Sequence, residues 1–69
     1  MPVIQVDMFA GRSVEQKRTL VKALTDAFVN STGARPESVQ VILRDIDKQD
    51  WGIAGELASD RAAAQTSPR

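Results

Sequence analysis

The chain has 69 residues, nine Lys plus Arg against nine Asp plus Glu, and neither Cys nor His. The missing residue types exclude a disulfide framework, a thiolate nucleophile and a cysteine zinc site, and they remove the commonest metal ligand and general base. The balanced charge, without a long apolar run or a signal-peptide pattern, favours a cytoplasmic protein that binds neither nucleic acid nor membrane.

The N-terminal half predicts a strand followed by a helix. Residues Pro2 to Phe9 alternate in a strand pattern rich in Val and Ile, and proline is tolerated as the first residue of a strand. Ser13 and Gln16 form a capping-box pattern, which predicts a helix that continues to about residue 30 or 31 and ends at a left-handed Gly33. The predicted apolar stripe of this helix consists of Val14, Leu20, Val21, Leu24, Ala27 and Phe28.

The C-terminal half predicts a second strand, a turn and a hairpin. Ser38 to Ile46 alternates as a strand, and Asp47 to Asp50 is a polar turn. Trp51 to Gly55 is expected to form a hairpin or an extended flap whose glycines supply backbone freedom. Glu56 to Ala64 has helical composition. Residues 61–69 are expected to be a flexible tail of a single domain that spans the chain.

Strand, helix and strand make a βαβ unit, so the predicted fold class is α/β (α+β) with two parallel strands and a right-handed crossover. Parallel sheets need cover on both faces, and both strands carry apolar residues on both faces. One helix covers one face. Because domains this small need additional stabilisation, we expect a second copy of the chain to cover the other face, which makes the protein a homo-oligomer.

The terminal amine is the candidate for chemistry in a chain without His or Cys. Asp7 and Asp45 lie within strands, but the sequence supplies no orienting partner for either carboxylate. Pro2 carries a secondary amine once Met1 is removed, and an α-amino group has a pKa of about 8, which partial burial or a nearby Arg would lower further. Such a group suits general acid–base catalysis. The alternative is that Pro2 only starts a strand, and while Met1 is attached its nitrogen is an amide and cannot act as a base.

Three segments of the chain form one pattern. They are Pro2 at the second position, the run Gly11-Arg12-Ser13-Val14-Glu15-Gln16-Lys17, and the run from Trp51 to Glu56, in which Ala54 replaces a usual glycine. Over about the first 60 residues the chain closely resembles the 4-oxalocrotonate tautomerase family. The family implies a βαβ monomer that pairs into dimers and assembles as a hexamer, with sites built across subunits. It also implies a cofactor-free isomerase that acts on a 2-oxo or 2-hydroxy-enoic acid in the catabolism of aromatic compounds.

The resemblance implies roles for individual residues. Pro2 matches the catalytic proline, which moves a proton in an enol or dienol to give the conjugated ketone. Arg12 matches an arginine that holds a substrate carboxylate, and a guanidinium suits this task because it binds carboxylates in bidentate fashion. Trp51 matches an aromatic residue that walls the site. Phe9 and Ile53 match further apolar wall positions, with core packing as the alternative.

Gln40 is the main departure from the family pattern. The best-known members have at this position a second arginine that binds the carboxylate and carbonyl end of the substrate. A glutamine donates a hydrogen bond but carries no charge, so it should stabilise a developing enolate oxygen less well. Arg44 or Arg35 of another subunit is a conceivable substitute. We expect weaker turnover of 2-hydroxymuconate-type dienols, or a preference for a substrate with one carboxylate.

Two other functions stay open at this point. In the first, Pro2 acts as a general acid in a hydratase or dehalogenase, although such relatives use an additional carboxylate for which the sequence offers no candidate. In the second, the protein is a non-catalytic oligomeric scaffold of the same fold, which Gln40 would favour.

Overall fold

The structure is a computed structural model that describes residues 1–61. Its elements in chain order are strand β1 (Val3–Phe9), helix α1 (Val14–Thr32), a 3-10 turn (Pro36–Ser38), strand β2 (Gln40–Ile46), a second 3-10 turn (Lys48–Asp50), and strands β3 (Gly52–Ile53) and β4 (Glu56–Leu57). Residues 58–61 begin a further helical segment. Strands β1 and β2 pair in parallel on either side of α1 in the chain, so the predicted βαβ architecture is confirmed. The predicted tail lies outside the described residues, apart from Arg61.

Helix α1 begins and ends at the predicted capping residues. Ser13 Oγ accepts a hydrogen bond from the Gln16 N–H at 3.1 Å, and Gln16 Oε1 accepts one from the Ser13 N–H at 2.9 Å, which completes the capping box. Gly33 has a left-handed φ of 77°, and its N–H donates to the Val29 carbonyl at 2.8 Å. The helix therefore extends to Thr32, one or two residues beyond the predicted end.

The register of the sheet sorts the side chains of both strands into two faces. Val3 lies beside Gln40 and Phe9 beside Ile46 at the two ends of the pairing. The face toward α1 is buried or half-buried at Ile4, Val6, Met8, Val41 and Leu43. The opposite face, called the open face below, carries Val3, Gln5, Asp7 and Phe9 from β1 and Gln40, Ile42, Arg44 and Ile46 from β2. Val3 and Ile42 are 52% and 46% exposed on it.

The core of one chain is small. Within residues 1–61, only Met8 and Ala58 are less than a tenth exposed. The predicted stripe of α1 is half-buried at Leu20, Val21, Leu24 and Phe28, but Val14 and Ala27 are exposed. Lys17 bonds to Asp45, the next-to-last residue of β2. Val14 lies one helical turn before Lys17, so it extends past the end of the sheet. Ala27 lies on the exposed flank of the helix.

The start of β2 differs from the prediction. Pro36–Ser38 forms a 3-10 turn, in which the Val39 N–H donates to the Pro36 carbonyl at 3.2 Å, and β2 begins at Gln40 rather than at Ser38. The physical reason is the fixed φ of proline, which suits the first position of a helical turn. The polar turn predicted after β2 is also a 3-10 turn, Lys48–Asp50.

The predicted hairpin after Trp51 is confirmed, with two corrections. Strand β3 pairs antiparallel with β4, so Glu56 and Leu57 belong to the hairpin and the following helical segment starts at residue 58. The turn consists of Ala54 and Gly55, with φ values of 52° and 84°. Gly52, expected to supply backbone freedom, does not have a positive φ. In the part of the chain that the structure describes, no helix has the length and apolar character needed to cross a membrane.

Candidate active site

An aromatic pair marks the carboxyl end of β1. The ring centroids of Phe9 and Trp51 lie 4.6 Å apart with the planes tilted by 59°, a favourable arrangement for two aromatic rings. The Trp51 carbonyl accepts a hydrogen bond from the Ala58 N–H at 2.7 Å, which holds the base of the hairpin. Ile53 follows in β3 with an exposed side chain. Strand β1 thus positions one ring and the hairpin positions the other.

Two cations flank Phe9. Arg12 Nη1 donates to the Phe9 carbonyl oxygen at 3.0 Å. The chain turns back to make this contact at Gly11, whose φ of 126° is rare for residues with a side chain. On the other side, Lys48 Nζ lies 5.5 Å from the centroid of the Phe9 ring, within cation–π range. The carboxyl end of the sheet therefore combines apolar rings with positive charge.

Most cations among the described residues lie close to a carboxylate. Of the eight Lys and Arg residues within 1–61, six have an Asp or Glu oxygen within 4.0 Å. These six are Lys17, Arg18, Lys22, Arg35, Arg44 and Arg61. The other two, Arg12 and Lys48, have no carboxylate within that distance among the described residues, and both contact Phe9.

The amino end of the sheet holds Pro2 beside Gln40. The Gln40 N–H donates to the Pro2 carbonyl at 3.0 Å. Gln40 Nε2 donates to Met1 Sδ at 3.0 Å, so the side-chain amide reaches across the start of both strands to the residue that precedes Pro2. Pro2 is half-buried, and Gln40 is exposed. The amide of Gln40 is therefore the side-chain donor next to the chain's amino end.

The predicted site residues fall into two groups that one chain does not bring together. Pro2 and Gln40 lie at the amino end of the sheet, whereas Phe9, Arg12 and Trp51 lie at its carboxyl end. The seven steps of extended chain from Pro2 to Phe9 span about 23 Å at the usual rise of a strand. A small molecule that touches Pro2 of one chain does not reach Arg12 of the same chain.

Both strand carboxylates have partners, although the sequence indicated none. Arg44 donates through Nε to Asp7 Oδ1 at 2.6 Å and through Nη2 to Asp7 Oδ2 at 3.0 Å. These hydrogen bonds and the positive charge of Arg44 lower the pKa of Asp7 from its ordinary value. Lys17 of α1 is half-buried, and its Nζ donates to Asp45 Oδ2 at 2.5 Å. Since Arg44 is engaged by Asp7, it is a poor substitute for the missing second arginine.

Lys48 was missed because the sequence shows only a polar turn at its position. Its approach to Phe9 depends on how the second 3-10 turn, Lys48–Asp50, folds back over the end of β1. Chain neighbours alone would have suggested Asp47 or Asp50 as its partner. What singles out Lys48 is that no carboxylate lies within 4.0 Å of it among the described residues. Such ion pairs can be identified only from the tertiary structure.

Comparison with known proteins identifies the family of this chain. Residues 2–61 match the profile of a family described as "Tautomerase enzyme". The solved 4-oxalocrotonate tautomerase isozyme from Methylibium petroleiphilum is 38% identical, with a TM-score of 0.88 over 91% of this chain and 98% of that chain. This chain belongs to the 4-oxalocrotonate tautomerase family.

Two curated proteins that are similar to this tautomerase are named as tautomerases too. A probable tautomerase from Lactiplantibacillus plantarum is 44% identical over 63 residues, which cover 91% of this chain and 98% of the relative. The 2-hydroxymuconate tautomerase from Comamonas testosteroni is 42% identical over 60 residues, or 87% of this chain and 95% of the relative. The family, the fold class and the enzyme class predicted from the sequence are confirmed: the chain is a tautomerase, and so an isomerase.

Proposed function

We propose that this tautomerase moves a proton within an enol or dienol of a 2-oxo acid, with the amine of Pro2 as the general base. The observation that carries the proposal is the position of Pro2, which is half-buried at the head of β1 with its carbonyl held by the Gln40 N–H. Once Met1 is removed, the neutral amine accepts the hydroxyl proton of the enol. The electron pair shifts along the conjugated system, the ammonium returns the proton to carbon, and the conjugated ketone leaves with the base regenerated.

Arg12 is the proposed binding residue for the substrate carboxylate. One of its nitrogens donates to the Phe9 carbonyl, which orients the guanidinium while other N–H donors stay available. Phe9, Trp51 and Ile53 are the proposed apolar wall. Such a wall disfavours the charged ammonium form and so lowers the pKa of an amine placed against it.

Gln40 is the proposed donor to the oxygen that becomes an enolate during proton transfer. Its side-chain amide already reaches the residue before Pro2. A neutral amide stabilises a charged oxygen less than a guanidinium does. The proposed substrate class is therefore an enol acid with one carboxylate, such as phenylenolpyruvate, in preference to the dicarboxylate 2-hydroxymuconate, the substrate named for the relative from Comamonas testosteroni.

The proposed active form is a homo-oligomer, a hexamer arranged as a trimer of dimers. The base and the carboxylate-binding arginine lie at opposite ends of the sheet, about 23 Å apart along β1, so a complete site requires residues of different copies. The open face, with Val3 and Ile42 about half exposed, supports the same assembly. The cytoplasmic location and the role in aromatic catabolism expected from the sequence stay predictions.

The test is the Pro2→Ala variant, after the intact mass has shown that Met1 is absent from the parent. Ketonisation of phenylenolpyruvate should fall by at least about 100-fold, since general acid–base catalysis contributes roughly 10²–10⁴-fold. Pro36→Ala, at a proline in the 3-10 turn, is the matched control and should keep the parent's rate. Equal activity in Pro2→Ala and the parent would overturn the proposal. A pKa of the Pro2 amine at the value of a free amine, measured by nitrogen-15 NMR, would favour the non-catalytic scaffold instead.

A further inference from the structure

We infer that Lys48 is a second cation of the carboxylate-binding subsite and helps to determine affinity for the acidic end of the substrate. The inference deepens the proposed function, since it rests on Arg12 as the carboxylate-binding residue. It comes from a coincidence of two observations. Lys48 and Arg12 are the two cations without a carboxylate within 4.0 Å among the described residues, and both contact Phe9.

An unneutralised cation attracts an anion more strongly than one that already has a partner. Arg18 and Lys22, on the surface of α1, are each paired with a carboxylate at 2.5 and 2.8 Å, so each pair has little net charge to offer. At Phe9, in contrast, the backbone carbonyl holds Arg12 and the ring face holds Lys48, which places both charges around one residue. The flexible stem of a lysine lets its ammonium reach a carboxylate bound at Arg12.

The acidic neighbours of Lys48 bear on the same argument. Asp47 and Asp50 lie in the same turn, where the Asp50 N–H donates to the Asp47 carbonyl at 2.8 Å. Neither carboxylate lies within 4.0 Å of Lys48, whose ammonium is over the Phe9 ring instead. Asp47 and Asp50 weaken the positive electrostatic potential of the turn, but they do not neutralise the charge of Lys48. Removing one of them should therefore strengthen carboxylate binding.

A purely structural role for Lys48 makes a different prediction. If its only function were to cover the Phe9 ring, then Lys48→Met, which keeps the apolar stem and removes the charge, would behave like the parent. If its charge binds the carboxylate, the same variant should raise KM and leave kcat nearly unchanged, because the charge acts on the bound substrate rather than on the proton in transit.

The experiment measures phenylenolpyruvate kinetics in the assembled enzyme. Lys48→Met should raise KM about three- to tenfold with kcat within about twofold, the effect of one partly solvated charge several ångströms away. The difference should shrink at about 0.5 M salt because screening weakens exposed charges. Lys48→Arg should restore KM, and Asp50→Asn should lower it. Lys22→Met, the matched loss of a lysine on α1, should match the parent. A KM for Lys48→Met equal to that of Lys22→Met would overturn the inference.

A binding measurement separates this inference from the proposed function. The probe is 3-phenylpropionate, a carboxylate that does not isomerise, titrated into each variant and followed by NMR. Weaker binding to Lys48→Met than to Lys22→Met supports the subsite even if Pro2→Ala keeps full activity. Equal binding to both, or no binding to the parent, overturns the subsite even if Pro2→Ala abolishes turnover.

Discussion

At the scale of single residues, the proposed substrate preference depends on Gln40. Its backbone N–H holds Pro2, and its side-chain amide donates to the Met1 sulfur. Removal of Met1 would free this amide beside the Pro2 amine, the proposed base. A guanidinium adds a charge–charge attraction to a carboxylate that a neutral amide lacks, and this attraction is worth about 1 kcal/mol at about 4 Å even in water. A charged donor at this position would therefore add about 1 kcal/mol for a substrate with a second carboxylate.

Gln40→Arg should raise the ratio of kcat/KM for 2-hydroxymuconate to kcat/KM for phenylenolpyruvate about five- to tenfold. This factor corresponds to the gain of about 1 kcal/mol expected from a charged donor. The isosteric Gln40→Glu should lower kcat/KM for both substrates, since a carboxylate repels an anionic substrate. Steady-state kinetics on both compounds check the prediction. An unchanged ratio in Gln40→Arg would show that this position does not bind the substrate.

The Asp7–Arg44 pair predicts a pH dependence of stability. The folded pKa of Asp7 lies below its ordinary value because Arg44 stabilises the carboxylate. The ion pair therefore stabilises the folded state at pH values above the ordinary pKa of an aspartate. This stabilisation is lost as the pH falls through the lowered pKa of Asp7. Asp7→Asn should lower the melting temperature at neutral pH, because it leaves Arg44 without its carboxylate partner on the face that we propose is covered in the assembly. The difference from the parent should vanish well below about pH 4.

The control for Asp7→Asn is Asp60→Asn, which removes a carboxylate that has no ion-pair partner within the described residues. Melting curves of both variants and the parent from neutral to acidic pH make the comparison. A difference between Asp7→Asn and the parent that persisted in strong acid would contradict the assigned role of the pair.

At the scale of elements, each element boundary depends on a short local signal. The capping box sets the start of α1, and the left-handed Gly33 sets its end. The β3–β4 hairpin is less well matched to its sequence, because Ala54 adopts a φ of 52° at a turn position where glycine fits without strain. An L-residue with a side chain in the left-handed region costs roughly 1–2 kcal/mol.

Ala54→Gly should stabilise the hairpin by about 0.5–1 kcal/mol, which is the relief of this strain less the greater backbone entropy of glycine in the unfolded chain. Gly55→Ala, at the neighbouring φ of 84°, should instead destabilise it by about 0.5–1 kcal/mol, because the same two terms apply with opposite sign. Urea unfolding of both variants measures the free energy of unfolding. Destabilisation by Ala54→Gly would show that the methyl group of Ala54 makes contacts that outweigh the strain.

At the scale of the whole molecule, one chain has a very small core. Only Met8 and Ala58 are buried among residues 1–61, while apolar side chains remain on the open face. A second copy placed there buries these side chains, and each covered Å² of apolar surface contributes about 25 cal/mol. In the proposed assembly the two separated groups of site residues come together, so stability and activity should depend on the same contact.

Ile42→Glu should prevent assembly, because it places a charge in the middle of the open face where desolvation is costly. Analytical ultracentrifugation should show smaller species, and ketonisation should be lost with them. Val14→Glu is the control, since Val14 is 61% exposed in the first turn of α1, where an acidic residue is favourable. A fully assembled Ile42→Glu variant would show that the open face is not an interface.

If each active site takes residues from two copies of the chain, two inactive variants should restore activity to each other in mixed assemblies. Pro2→Ala and Arg12→Ala should each be inactive alone. After the two are unfolded together and refolded, mixed assemblies should regain activity at up to about a quarter of their sites, where an intact Pro2 meets an intact Arg12 of another copy. The two variants refolded separately and then mixed are the control. No regain after co-refolding would place both residues of a site on the same chain.

The sequence by itself determined the features whose causes are local in the chain. Strand alternation, the capping box and the left-handed glycine act over a few residues, so both long strands and α1 were predicted to within two residues at each end. The motifs around Pro2, Arg12 and Trp51 also lie in short runs, and the resemblance they carry led to the family and the enzyme class that the comparisons confirm. The roles of these residues stay predictions.

Only the tertiary structure decided which distant residues meet. The pairing of Asp7 with Arg44 depends on strand register, and the position of Lys48 over Phe9 depends on how a turn folds back. The separation of Pro2 from Arg12 is of the same kind. Pro2 and Arg12 lie near opposite ends of β1. The proposed base and the proposed carboxylate-binding arginine of one chain therefore do not meet, and they can share a site only between copies of the chain.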